Sequence, residues 1–110
     1  MNRVFRGNKV AVLYSPGFGC GWSTIMANST TVMFHPKLVE LVEEGRQEEI
    51  TEEFVRSLVP EKEQDRVYVD RGAVQNLKIR WLPVDTEFRI ESRNGSEGVV
   101  LKEKQRWIVA

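Results

Sequence analysis

The chain has 110 residues, of which 41% are hydrophobic, and its 16 basic and 16 acidic side chains give a formal net charge of zero. That length suits one domain, residues 1–110, with a modest core that needs neither disulfide nor metal, and the composition excludes disordered, fibrous and low-complexity chains. No apolar run approaches the roughly 20 residues that span a bilayer, Arg3, Arg6 and Lys9 interrupt any leader-like start, and one cysteine cannot close an internal disulfide, so a soluble protein of a reducing cytosol is expected.

Residues 9–14, Lys-Val-Ala-Val-Leu-Tyr, read as a buried strand closed by Ser15-Pro16-Gly17. Residues 15–24 hold three glycines at alternate positions and a proline, which predicts a loop with unusual backbone angles. Thr30 to Phe34 fits either a short strand or an extension of that loop. His35-Pro36 opens a helix with Leu38, Leu41 and Val42 on one face, and Gly45 ends it. Thr51 caps a second helix, with Glu52 and Glu53 in its first turn and Phe54, Val55 and Leu58 as its stripe, before Pro60 stops it.

The period then changes from helical to alternating. Val67 and Val69 flank Tyr68. Leu77, Ile79 and Trp81 alternate with Lys78 and Arg80 as far as Pro83. Phe88 and Ile90 alternate with Glu87, Arg89 and Glu91. Arg93-Asn94-Gly95-Ser96 predicts a hairpin turn with Val99 to Leu101 as the returning strand, and residues 106–109 read as a last strand. Leu77, Ile79, Trp81, Phe88, Ile90, Val99, Leu101 and Trp107 are the expected core of this half. The expected class is α+β: a small antiparallel or mixed sheet of about five strands with two short helices on one face.

The glycine loop carries most of the chemistry. Successive N–H groups in such a loop form an anion-binding nest. Ser15, Ser23 and Thr24 add hydroxyls, Gly17, Gly19 and Gly21 allow close approach, and Phe18 and Trp22 are rings of the kind that stack on a nucleobase. The loop has neither the Walker ending nor dinucleotide-fold spacing. A tight loop that merely packs Phe18 and Trp22 into the core remains the alternative. Cys20 and His35 lack an orienting third group, so no catalytic residue is assigned, and one Cys with one His does not make a metal site. No cofactor is expected.

The neutral total conceals a pattern. Residues 1–35 carry three basic residues and no acid; residues 36–70 carry 5 basic and 11 acidic residues, a charge of −6; residues 71–110 carry 8 basic and 5 acidic, a charge of +3. The acids lie in the helical middle, where a solvated face accounts for them. Arg71, Arg80 and Arg89 in the basic C-terminal part are the expected neutralisers of an anion, with Lys78 beside Arg80. Cross-strand pairing with Glu87, Glu91 and Glu103 competes for them. The chain is not basic enough for nucleic acid to be the expected partner. Trp81 and Trp107 on so small a sheet suggest a homo-oligomer.

The segment Val10 to Thr24, with Phe34-His35-Pro36-Lys37-Leu38-Val39-Glu40 and Asn76-Leu77-Lys78-Ile79-Arg80-Trp81-Leu82-Pro83, resembles small accessory proteins encoded by tailed bacteriophages. The resemblance implies a host-cell cytosol and action by binding, either to a host protein or to a signalling nucleotide of an immune system. It assigns no residue a role. Three readings follow. The first is a non-enzymatic counter-defence protein that sequesters a small anionic, nucleotide-like ligand on the glycine loop. The second is a protein–protein inhibitor of a host factor acting through the acidic block 40–53. The third is a small nucleotide-acting enzyme using Ser23, Cys20 or His35.

Overall fold

The computed structural model describes residues 3–17 and 19–102. Phe18, and the expected last strand at 106–109 with Trp107, lie outside them. β1 (Phe5–Arg6) turns back through Gly7-Asn8 onto β2 (Lys9–Tyr14), the strand expected from its apolar run. Next come the glycine loop, α1 (Thr30–Phe34), α2 (Pro36–Glu43), a 3₁₀ turn (Gln47–Glu49), α3 (Glu52–Leu58), a second 3₁₀ turn (Glu61–Arg66) and α4 (Arg71–Gln75). β3 (Lys78–Pro83), β4 (Phe88–Arg93) and β5 (Ser96–Leu101) complete the described elements. The class is α+β, and the five strands divide into two antiparallel sheets, β1-β2-β3 and β4-β5.

β2 is buried on both faces, and this organises the rest. Successive side chains of a strand point to opposite faces. Ala11 and Leu13 join the larger core with Trp22, Leu38, Val39, Ile50, Val55 and Val74 from the helical side. Val10 and Val12 join a smaller core with Met33, Phe34, Leu82 and Ile90, where Phe88 and Val99 of the hairpin also pack. β3 pairs with β2 in register Val12↔Arg80 and Leu13↔Ile79. Lys78 and Arg80 therefore share the hairpin-side face, and Ile79 and Trp81 the helix side.

Local chemistry sets the helix ends. Pro36 stands at the first position of α2, and His35 Nδ1 accepts from Lys37 N at 3.1 Å. At the far end Gly45 takes φ +69°, while Gly45 N donates to Val42 O and Arg46 N to Leu41 O, the paired bonds of a Schellman close. Thr51 Oγ1 accepts from Phe54 N at 3.1 Å and caps α3. The Arg93-Asn94-Gly95-Ser96 turn forms as expected, with positive φ at both Asn94 and Gly95.

Three segments differ from the expectation. Thr30–Phe34 is a helix, because one helical turn sends Val32 into the larger core and Met33 and Phe34 into the smaller. Val67–Val69 belongs to no strand; its alternation reflects Val67 buried beside an exposed Tyr68, not pairing. Leu101 is 36% exposed at the hairpin end rather than core.

The His35 imidazole is held below its ordinary value, first by partial burial and then by the Lys37 ammonium. Only its neutral form accepts the Lys37 N–H. Its contribution is therefore complete above the unfolded value of about 6.5 and lost as pH falls through the lower folded value. Thermal melts from about pH 7.5 to about pH 5.5 should show the native chain losing stability relative to His35→Asn, which keeps a cap acceptor without titrating.

Candidate functional site

The sequence of the glycine loop calls for an anion, and the fold supplies one from within. Glu97, the second residue of β5, is 3% exposed. Its Oε1 accepts from Ser15 N at 2.9 Å. Its Oε2 accepts from Trp22 N at 2.8 Å, Thr24 N at 3.0 Å and Thr24 Oγ1 at 2.6 Å. Among the described residues no cation pairs with it, so three backbone N–H dipoles and a hydroxyl replace its water. Glu97 N in turn donates to Ser15 O at 2.7 Å, and Ser96 Oγ to Pro16 O at 2.5 Å. The hairpin is thereby fastened to the end of β2.

Two glycines make this approach possible. Gly21, at φ +89°, would carry a Cβ 2.6 Å from Thr24 Oγ1 and 3.3 Å from Glu97 Oε2, crowding the bond it flanks. Gly95, at φ +84°, would place a Cβ 1.5 Å from Gly19 O, so the hairpin turn lies directly on the loop backbone. The other loop residues are structural in the same sense. Gly17 lies against Asn76, and Gly19 against Asp70 and Ala73. Ser15 Oγ donates to Ala73 O at 2.7 Å. Trp22 is fully enclosed, with Nε1 donating to Val32 O at 2.8 Å, and presents no ring face to a ligand. Ser23 is buried, and its Oγ has no partner among the described residues.

The expected basic partners do not gather at the loop. Arg71 donates to Ile50 O at 2.8 Å and Gln47 O at 3.2 Å, tying α4 to the first 3₁₀ turn. Arg80 sits on β3, while Arg89 belongs to the separate β4-β5 sheet and pairs with Glu91 at 2.6 Å. Cys20 is exposed, and its N donates to Asp70 Oδ2 at 3.3 Å. The Tyr68 phenol is pushed up first by the charge of Cys20, then by its hydrogen bond with that side chain and by Asp70. His35 Nδ1 is committed to its cap. No group of three or more metal-ligating side chains lies together among the described residues, and no described helix is long and apolar enough to cross a membrane.

Arg89 instead lines a cleft of about 490 Å³ between α1 and β4. Its floor is Met33, Phe34, Phe88 and Ile90, and its rim Arg3, Asn28, Thr30 and Arg89, with no acid in the lining. The Arg3 guanidinium carbon stands 4.0 Å over the Phe34 ring, and Phe34 meets Phe88 edge to face at 6.1 Å. The Arg89–Glu91 pair is largely exposed, so it is worth under about 1 kcal/mol and yields to a stronger anion. The Arg3 guanidinium over the buried Phe34, beside the half-buried Phe88 and with Asn28 and Thr30 in the same lining, suits an anionic group, while Arg89 enters the lining from a strand whose Phe88 and Ile90 face the core. Sequence reasoning missed Arg3, Asn28, Thr30 and Phe34 here because they come from separate parts of the chain. The basic N-terminal segment was the only signal, and it pointed to no location.

Comparison with protein-family models, with curated proteins and with solved structures finds no match.

Replacing Glu97 with Gln keeps the shape but turns an amide toward N–H donors. Urea melts should show a loss of about 3 kcal/mol, against about 1–2 kcal/mol for Thr24→Val, which removes one donor. The glycines give a second contrast. Gly95→Ala should cost at least about 2 kcal/mol, while Gly98→Ala, whose added Cβ meets nothing within 4 Å, should stay within about 0.5 kcal/mol.

Proposed function

We propose that this chain is a non-enzymatic accessory protein that binds a small anionic, nucleotide-like ligand, and that the ligand sits in the Arg3–Phe34–Phe88–Arg89 cleft. The supporting observation is a cleft of about 490 Å³ lined by Arg3, Phe34, Phe88 and Arg89 and by no acid, with the Arg3 guanidinium 4.0 Å over the Phe34 ring, a volume within the roughly 300–1,000 Å³ of small-molecule sites. The glycine loop serves this site indirectly, since the carboxylate it encloses anchors the hairpin that carries Phe88 and Arg89. In the bacteriophage setting that the sequence resemblance implies, tight binding without turnover amounts to sequestration of a host signalling nucleotide. The reading as an inhibitor acting through the acidic block draws less support. Glu44 and Glu49 both hold Arg46, Glu43 pairs with Arg6, and Glu52 with Arg56, so part of that charge is neutralised within the chain.

Calorimetric titration with adenosine 5′-monophosphate and with cyclic mononucleotides tests the proposal. Binding should weaken at least about tenfold in Arg3→Ala and in Arg89→Ala, since each removes a charge-assisted contact worth about 1.5–3 kcal/mol. Arg80→Ala should bind as the native chain does, and affinity should fall as salt rises. No binding of any nucleotide at protein concentrations well above micromolar, or loss on Arg80→Ala alone, would defeat it.

A further inference from the structure

The cleft does not end at Asn28 and Thr30. Those two residues also line a second hollow of about 430 Å³ on their other side, closed by Lys62, Glu63 and Arg66 of the second 3₁₀ turn. The segment 27–30 is thus a ridge with a basic lobe on each side. The backbone is built to stand out there. Ala27 and Asn28 take φ of 56° and 57°, a left-handed pair that costs an alanine roughly 1–2 kcal/mol. The turn is held by Met26 N and Asn28 N, which both donate to Ser23 O at 3.1 and 2.8 Å, and by Ser29 N donating to Met26 O.

The charges in the second lobe are unequally engaged. Glu63 accepts from Ser29 Oγ at 2.9 Å and so ties the ridge to the 3₁₀ turn. Lys62 and Arg66 form no ion pair among the described residues. The second lining thus holds two cations against one acid, and the first holds Arg3, which forms no ion pair among the described residues, and Arg89, which is paired with Glu91. Two positive lobes separated by a polar ridge match an anion whose charge is divided between two places. A single phosphate would satisfy one lobe and leave the other solvated.

Resting on the nucleotide reading above, we propose that the ligand carries two phosphoryl groups at separate positions, one held by Arg3 and Arg89 and the other by Lys62 and Arg66. The ligand class is a dinucleotide-like molecule with its linking portion over Asn28 and Thr30. Specificity for this class over mononucleotides resides in the second lobe.

The probes are two diadenosine compounds that differ only in the second charge: ApA, with one linking phosphate, and pApA, with an added 5′-phosphate. The native chain should bind pApA at least about tenfold more tightly than ApA. The double variant Lys62→Ala/Arg66→Ala, which alters exposed side chains only, should erase that difference while leaving ApA binding unchanged. Circular dichroism would verify that the variant is folded. Equal affinity for the two compounds, or equal weakening of both in the variant, overturns the two-phosphate ligand and leaves the single-cleft reading intact. Failure of ApA, pApA and the mononucleotides alike removes both. Affinity for single-stranded oligonucleotides that climbs with length beyond two residues would also overturn it, by making nucleic acid the ligand.

Discussion

One buried carboxylate governs the layout of this protein. Glu97 leaves water only because Ser15, Trp22 and Thr24 turn N–H groups and a hydroxyl onto it. An ion of that kind, with no cation paired among the described residues, is tolerated only where protein donors meet its lone pairs in place of water. Meeting them requires the loop after β2 to curl around a residue from the far end of the chain. The loop conformation, the position of Trp22 in the larger core and the seat of the β4-β5 hairpin are therefore one constraint. A change at any of its members strains the others, as the contact of Gly95 with the Gly19 carbonyl illustrates.

This constraint also bears on where a ligand can go. Anion-binding geometry in the loop is satisfied internally, and the indole that could have stacked on a base is enclosed. Fastening the hairpin there positions β4 so that Phe88 faces Phe34 across the smaller core, with Arg89 in the lining of the adjoining cleft. The proposed cleft is thus assembled by packing, from the N-terminal arginine, the turn before α1 and one strand of the hairpin. Its cations are exposed and weakly engaged, which is the state that favours exchange of solvent for a charged ligand. The acidic middle of the chain, by contrast, is held largely on the helical side, where Arg46 bridges Glu44 and Glu49.

Much of the architecture could be read locally. The apolar run of β2, the proline and glycine that bracket α2, the threonine cap of α3 and the Asn-Gly turn each act through neighbours in sequence, so each formed as expected. The failures have a shared cause. Thr30–Phe34 has β-branched residues and no clear period, and only the presence of a core on two sides makes a helix of it. Val67–Val69 alternates because it lies along a surface, a pattern that does not require a strand partner. The glycine loop fits in sequence either an anion nest or a tight loop that packs its aromatic residues inward; Trp22 is enclosed, and Glu97 stands in the sequence as one carboxylate among 16 acidic residues.

The sequence by itself determined the elements whose causes lie within a few residues: the buried strand, the helix caps, the tight turns, and a glycine-rich loop with unusual backbone angles that can surround a negative charge. Tertiary structure alone decided which charge that would be. It also decided that the five described strands would part into two sheets, and that Arg3, Phe34 and Arg89 would line one hollow and Lys62 and Arg66 another, with Asn28 and Thr30 shared between them. The physical reason is range. Caps and turns satisfy backbone groups with the nearest available partner, whereas burying a carboxylate, filling two cores and gathering cations depend on which distant segments pack together.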